Sequence, residues 1–266
     1  MSKSSEGFKP LQGIFGRPAP PVQVVRMEFY SGGRAIIRPE ATAIDLPVEK
    51  AVICFTEGFY PKLVKCLGLS DAERAPHISA CHKGRLGKEV ALYKSEVGAP
   101  AVAMAMEVMI ASGVRRILML GLAGSLSPSC PIGSAVIPTW GIREEGTSYH
   151  YLPSRVRPRP SAPFVKALRV GLSELGPMTG GVWSTDAPYM ETVAKVREYA
   201  RKGVLAVDME TTAMMAVAMR RKAEFAAVLT ISDSVHGEDW DQAFGTRRLS
   251  RARDRVCERA SSVMLG

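Results

Sequence analysis

From residue 51 onward, short unbroken apolar runs alternate with stretches of helical spacing, and few architectures accept that alternation. The runs at 51–55 (AVICF), 90–93, 116–120 (RILML), 135–138, 204–207 and 225–231 (FAAVLTI) are mostly continuous rather than polar at every second position. That pattern suits strands covered on both faces. Helical candidates fall between and after them, at 100–112, 162–175, 191–202, 209–221 and 247–264. The order predicts an α/β fold: a single domain whose central mixed, mainly parallel sheet is flanked by helices and joined by right-handed crossovers. No internal repeat or linker interrupts it, and the Pro-rich piece at 153–163 reads as a surface connection. Residues 1–24, rich in Pro, Gly and Ser, are expected to form a flexible arm, which leaves 25–266 as the domain.

Composition narrows the class. The 266 residues are 46% hydrophobic and 23% charged, enough for a sizeable core and unlike a disordered chain. No stretch approaches the roughly 20 apolar residues that span a bilayer, and the N-terminus has no apolar secretory core, so a cytoplasmic location is expected. The cysteines are Cys54, Cys66, Cys81, Cys130 and Cys257, an odd set without a CxxC pair. They argue for a reducing compartment and against a zinc site or disulfide framework. The histidines (His77, His82, His150 and His236) show no metal-ligand spacing. The formal charge of +9 favours an anionic partner: nucleic acid, a phosphate ester or phosphate itself. Six arginines lie at 247–259, but Asp254 and Glu258 interrupt them and no aromatic residue is interleaved. A solvated helix face explains that run better than nucleic-acid binding does.

In open α/β sheets, ligands gather beyond the carboxyl ends of the strands. Gly121 and Gly124 follow a strand directly, where their backbone can approach a ligand or simply turn. Glu210 follows a strand end and opens a helix; it is either a first-turn acid or an acceptor of two hydrogen bonds from a sugar diol, with Met209 on the sugar's apolar face. Asp233 leaves the most hydrophobic strand, where desolvation would raise a carboxyl pKa toward proton donation, although a helix-capping role is common for such an Asp. The segment 183–189 (WSTDAPY) offers Thr185 and Tyr189 to a flat heterocycle, or is a packed turn. The polar and aromatic segment 143–151 contains His150, which either meets a ligand or partner subunit or is structural.

Taken in order, these pieces resemble the nucleoside phosphorylase superfamily, with its purine nucleoside phosphorylases of the hexameric type, uridine phosphorylases and related nucleosidases. The likeness spans about residues 47–245. VLAVDMETTAMMAVA followed by AAVLTISDSV is similar to the family's Met-Glu helix start and the Ser-Asp one helix and one strand later. GLAGS and VGAPA upstream add to it, whereas REEGTSYHY and WSTDAPYMET look more like the uridine side. The resemblance implies cleavage of an N-glycosidic bond by inorganic phosphate, giving free base and ribose 1-phosphate, with no metal or organic cofactor. It implies that Glu210 and Met209 hold the ribose, that Asp233 protonates a purine at N7 with help from Arg247 or Arg248, and that Thr185 and Tyr189 line the base pocket. Gly58, Lys62 and Gly121 would bind phosphate, and Arg74, His77 or Arg85 would be lent by a neighbouring subunit of a dimer to hexamer. The likeness departs at Met119 and Leu122, where the family has an Arg and a hydroxyl residue. The nucleosidases, which use water, also lack that Arg, so hydrolysis stands as an alternative, as does uridine phosphorolysis.

Overall fold

Successive apolar side chains of each strand point to opposite faces and build two large cores, one on either side of a single sheet, beside a smaller cluster around Trp183. The computed structural model describes residues 30, 33, 35–237 and 239–266, so the arm expected over 1–24 lies outside the described residues. In chain order the elements are β1 (Lys50–Cys54), α1 (Tyr60–Cys66), β2 (Glu73–Arg74), β3 (Cys81–Leu86), β4 (Val90–Ser95), α2 (Ala99–Ala111), β5 (Arg116–Ser125) and β6 (Ala135–Glu144). There follow α3 (Ala162–Gly171), β7 (Met178–Thr185), α4 (Val193–Arg201), β8 (Val204–Asp208), α5 (Thr211–Arg221), β9 (Glu224–Ser234), β10 (Asp241–Gln242) and α6 (Arg247–Leu265).

The strands form one mixed sheet in the order β10-β9-β6-β7-β8-β5-β1-β4-β3-β2, with a further β5–β9 pairing. That extra pairing joins β5, β9, β6, β7 and β8 into a closed circuit, so half of the sheet curls into a barrel while β1, β4, β3 and β2 continue outward from β5. The β1–β4, β1–β5, β5–β9, β6–β7 and β7–β8 pairs are parallel. On one face Ile53, Tyr93, Met119 and Leu229 pack with Met106 and Met109 of α2 and Met214 and Met215 of α5. On the other, Val52, Leu92, Leu118 and Val228 pack with Leu63 of α1, Leu168 of α3 and Val256 and Met264 of α6.

The expected α/β sheet is present, but several boundaries shift. The strand expected at 116–120 runs on to Ser125, so the glycine segment is paired strand rather than a loop. The strand expected at 225–231 runs to Ser234 and contains Asp233, and that expected at 135–138 reaches Glu144. Partners on both sides of β5 extend its hydrogen bonding past the apolar run. The helix expected at 209–221 begins at Thr211, with Glu210 as its N-cap. The helix expected at 162–175 ends at Gly171 before a separate 3-10 turn. Short α1 and the charged edge hairpin β2–β3 carry no long apolar run, so periodicity does not announce them. Among the described residues no helix is long and apolar enough to cross a membrane. The basic run of α6 is partly spent on ion pairs: Arg253 with Asp254, and Arg259 with Glu174.

Candidate active site

The two acids singled out by sequence lie at the end of β9 and just after β8, strands that flank the last residues of β5, parallel and antiparallel to it respectively. Gly124 of β5 pairs with Val207 of β8 on one side and with Asp233 of β9 on the other. A Cβ at Gly124 would stand 3.1 Å from Val207 Cγ1 and 3.2 Å from Asp233 Oδ2, so a side chain there would crowd both strands. Val207 leads directly into Asp208, Met209 and Glu210.

Glu210 is buried, 6% exposed. Its Oε1 accepts the Gly98 N–H at 2.7 Å, and Oε2 accepts its neighbour's Met209 N–H at 3.2 Å. Gly98 precedes α2 at φ +109°, a conformation that favours glycine and aims this amide at the carboxylate. Burial pushes the Glu210 carboxyl up to about 8; the charge of Asp208 acts in the same direction and the two backbone donors oppose it. Asp208 is itself raised by burial, against hydrogen bonds from Ser184 and Thr211. Its Oδ1 accepts the Ser184 hydroxyl at 2.5 Å, and its Oδ2 takes both the amide and the hydroxyl of Thr211.

A buried polar chain extends from there. Ser184 Oγ accepts the Thr212 N–H at 3.0 Å, and the Thr212 hydroxyl donates to Glu145 at 2.8 Å. Glu145 also accepts the Ser148 N–H at 2.8 Å. Arg143 donates to the Ser148 hydroxyl and to the carbonyls of Leu152, Pro153 and Val156, and lies over the Tyr149 ring. This network fixes the start of α5, and hence Glu210, to β6 and β7. The sequence contains its members, but their pairing across β6, β7 and α5 has no local signal.

Asp233 is 8% exposed and doubly held: Oδ1 accepts the Ser232 hydroxyl at 2.6 Å and Oδ2 accepts the Trp240 indole N–H at 2.8 Å. Neither arginine expected to assist it does so here. Arg247 and Arg248 are exposed at the first turn of α6, and Arg248 donates to the Ile132 carbonyl at 2.7 Å. Trp240, which the motif reading passed over, supplies the donor instead. Glu191 is a second neighbour: burial, with the Asp233 charge adding to it, holds its carboxyl near 7.

The remaining expected residues divide. Thr185 is buried at the end of β7, its hydroxyl accepting the Ala187 N–H at 3.1 Å. Tyr189, expected beside it, projects fully into solvent from the 3-10 turn Pro188–Met190. Lys62 faces α6 and pairs with Glu258 at 2.5 Å, because α1 packs along that helix. Gly58 lies under the Arg253 guanidinium, which a Cβ would strike. At Gly121 the surroundings are apolar, with Met119 Cε, Leu229 and Phe55 within 4 Å of the Cβ position. Met119 is fully buried, its sulfur 3.5 Å from the Thr211 hydroxyl oxygen. Arg74, His77 and Arg85 share one cavity of 470 Å³ with Tyr60, His82 and Lys83. Arg85 also caps the carbonyls of Ser70 and Ala72. Among the described residues, no group of three His, Cys, Asp or Glu side chains is placed to hold a metal ion.

Residues 49–264 match the family described as the phosphorylase superfamily. Among curated relatives, the chain is 29% identical to a guanosine phosphorylase of Halorubrum lacusprofundi over 67% of this chain and 75% of that one. It is 28% identical to a DeoD-type purine nucleoside phosphorylase of Caldanaerobacter subterraneus over 56% and 66%. Among solved structures, uridine phosphorylase from Vibrio fischeri aligns with a TM-score of 0.70 at 19% identity, covering 85% of this chain and 93% of that one. Purine nucleoside phosphorylase from Toxoplasma gondii aligns with a TM-score of 0.70 at 16% identity, covering 88% and 96%. The two structural likenesses establish the shared fold.

Proposed function

The chain belongs to the phosphorylase superfamily, and from that premise we propose that it cleaves the N-glycosidic bond of a purine nucleoside with inorganic phosphate, giving free base and ribose 1-phosphate. The observation that carries this reading is the placement of Asp233 on β9 and of Glu210 just after β8, two strands that both pair with Gly124. In the reaction the bond from C1′ to N9 breaks and its electron pair goes to the purine. N7 takes a proton from Asp233, and a phosphate oxygen forms the new bond to C1′. Glu210 accepts the ribose hydroxyls, a contact that strengthens as positive charge develops on the sugar. Its buried position, held by the Gly98 and Met209 amides, gives this contact a preorganised geometry.

The lean to purines rests on Asp233, since a pyrimidine has no N7 to protonate, and on the purine-specific names of the curated relatives. No metal or organic cofactor enters this scheme. We further propose that the chain works as a homo-oligomer in the cytoplasm; its five free cysteines are compatible with a reducing compartment. A second reading, hydrolysis by water, is favoured by one observation: buried Met119 stands where an arginine would clamp phosphate. Product analysis on inosine, guanosine, adenosine and uridine, with and without phosphate, tests both. Phosphate-dependent release of purine with ribose 1-phosphate is expected. Equal turnover without phosphate would replace the first reading with the second, and turnover of uridine alone would overturn the purine assignment.

A further inference from the structure

A phosphorolytic site without the usual arginine needs a cation from elsewhere, and the exit of β4 carries one. Lys94 is a buried lysine, its side chain only 9% exposed. It lies level with Cys54 of β1, which in turn lies level with Leu120 of β5, the residue before Gly121. Four residues after Lys94, the Gly98 amide holds Glu210. Lys94 is therefore at the same sheet end as the proposed ribose carboxylate and next to the loop that contains Gly58.

Its environment calls for an anion. Lys83 of β3 is directly opposite Lys94 in the antiparallel register, and like charges facing each other across a strand pair repel. One exposed carboxylate relieves this: Glu57 Oε1 accepts both ammonium groups, Lys94 at 2.7 Å and Lys83 at 2.8 Å. The two lysines hold the Glu57 carboxyl down at about 2. His82 Nε2 stands 2.8 Å from Lys94 Nζ, while its Nδ1 faces Glu96 at 2.7 Å. An exposed carboxylate thus sits between a buried and a half-exposed ammonium group, in the position an oxyanion would take.

We propose that Lys94, with Lys83, binds the inorganic phosphate of the reaction and that the Glu57 carboxylate is a stand-in which phosphate displaces. This rests on the phosphorolytic reading and assigns to it the cation that Met119 cannot supply. Phosphate loses its hydration shell on entry and is repaid by two charge-assisted contacts. Glu57 swings into solvent, where its charge is hydrated.

The test is titration calorimetry with inorganic phosphate alone, nucleoside absent, on the wild-type protein and on Lys94→Met, Lys94→Arg and Glu57→Gln, each checked for native circular dichroism. Lys94→Met should weaken phosphate at least tenfold and Lys94→Arg should recover most of that loss. Glu57→Gln should tighten phosphate several-fold by removing the competitor. In turnover, Lys94→Met should raise KM for phosphate and leave KM for nucleoside within twofold. Equal phosphate affinity in wild type, Lys94→Met and Glu57→Gln would overturn the assignment, as would absence of phosphate binding in every protein. If the wild type binds phosphate through Lys94 but releases base equally well without it, the site stands and the phosphorolytic reading fails.

Discussion

Replacing Glu210 with Gln removes one ionisable group from a buried position and leaves the side chain its size. Burial and Asp208 move the Glu210 carboxyl from 4.5 to about 8, a difference worth about 5 kcal/mol. The folded protein keeps this proton over a pH range in which the unfolded chain has released it. The group therefore lowers stability as pH rises, beginning above the unfolded value and levelling off above the folded one. Its slope is about 1.4 kcal/mol per pH unit, so from pH 6 to pH 8 the wild type should lose about 2 kcal/mol relative to Glu210→Gln. Titrating groups other than Asp208, whose charge interacts with Glu210, are common to both proteins and cancel in the difference. Urea unfolding at the two pH values measures it. Above about pH 8, where the wild-type carboxyl is ionised, the variant should also lose about 100- to 1,000-fold in kcat/KM, the scale of a charged contact tightened at the transition state. Parallel loss of stability in the two proteins would refute the buried, proton-holding Glu210, and an undiminished rate would refute its grip on the sugar.

Arg143→Met should cost about 3–5 kcal/mol in urea unfolding, because it strands the buried Leu152 carbonyl and Ser148 hydroxyl and the part-buried carbonyls of Pro153 and Val156; a loss below 1 kcal/mol would contradict the network. Lys62→Ala should change stability by less than about 1 kcal/mol, since its pair with Glu258 is solvent-exposed. It should also leave KM for phosphate within twofold, and a tenfold rise would return Lys62 to the phosphate site.

Strand order and the pairing of distant acids were legible to different degrees. The apolar runs at 51–55, 116–120 and 225–231 announce β1, β5 and β9 because covered strands need no polar alternation. They do not announce that β5 has three neighbours, since closure of the β5–β9–β6–β7–β8 circuit is a long-range pairing. Glu210 and Asp233 were visible because a charged residue directly after an apolar strand is costly without a partner. Their partners were not: Gly98 and Trp240 belong to other segments. Lys62 and Tyr189 show a different limit. A motif position places a residue near a loop but does not say which way its side chain turns, and the packing of α1 on α6 turns Lys62 toward Glu258. Lys94 was hidden inside the run VALYKS, where its neighbours suggest only a strand.

The central claim is a division of labour, with Asp233 feeding a proton to N7 and Glu210 holding the sugar. Kinetics of Asp233→Asn on guanosine and on 7-methylguanosine test it most directly, because the methylated base already carries the positive charge that protonation would create. The account predicts that Asp233→Asn loses at least about 100-fold in kcat/KM on guanosine and stays within tenfold of wild type on 7-methylguanosine, whereas Glu210→Gln is impaired on both. An Asp233→Asn enzyme equally impaired on the two nucleosides would contradict it.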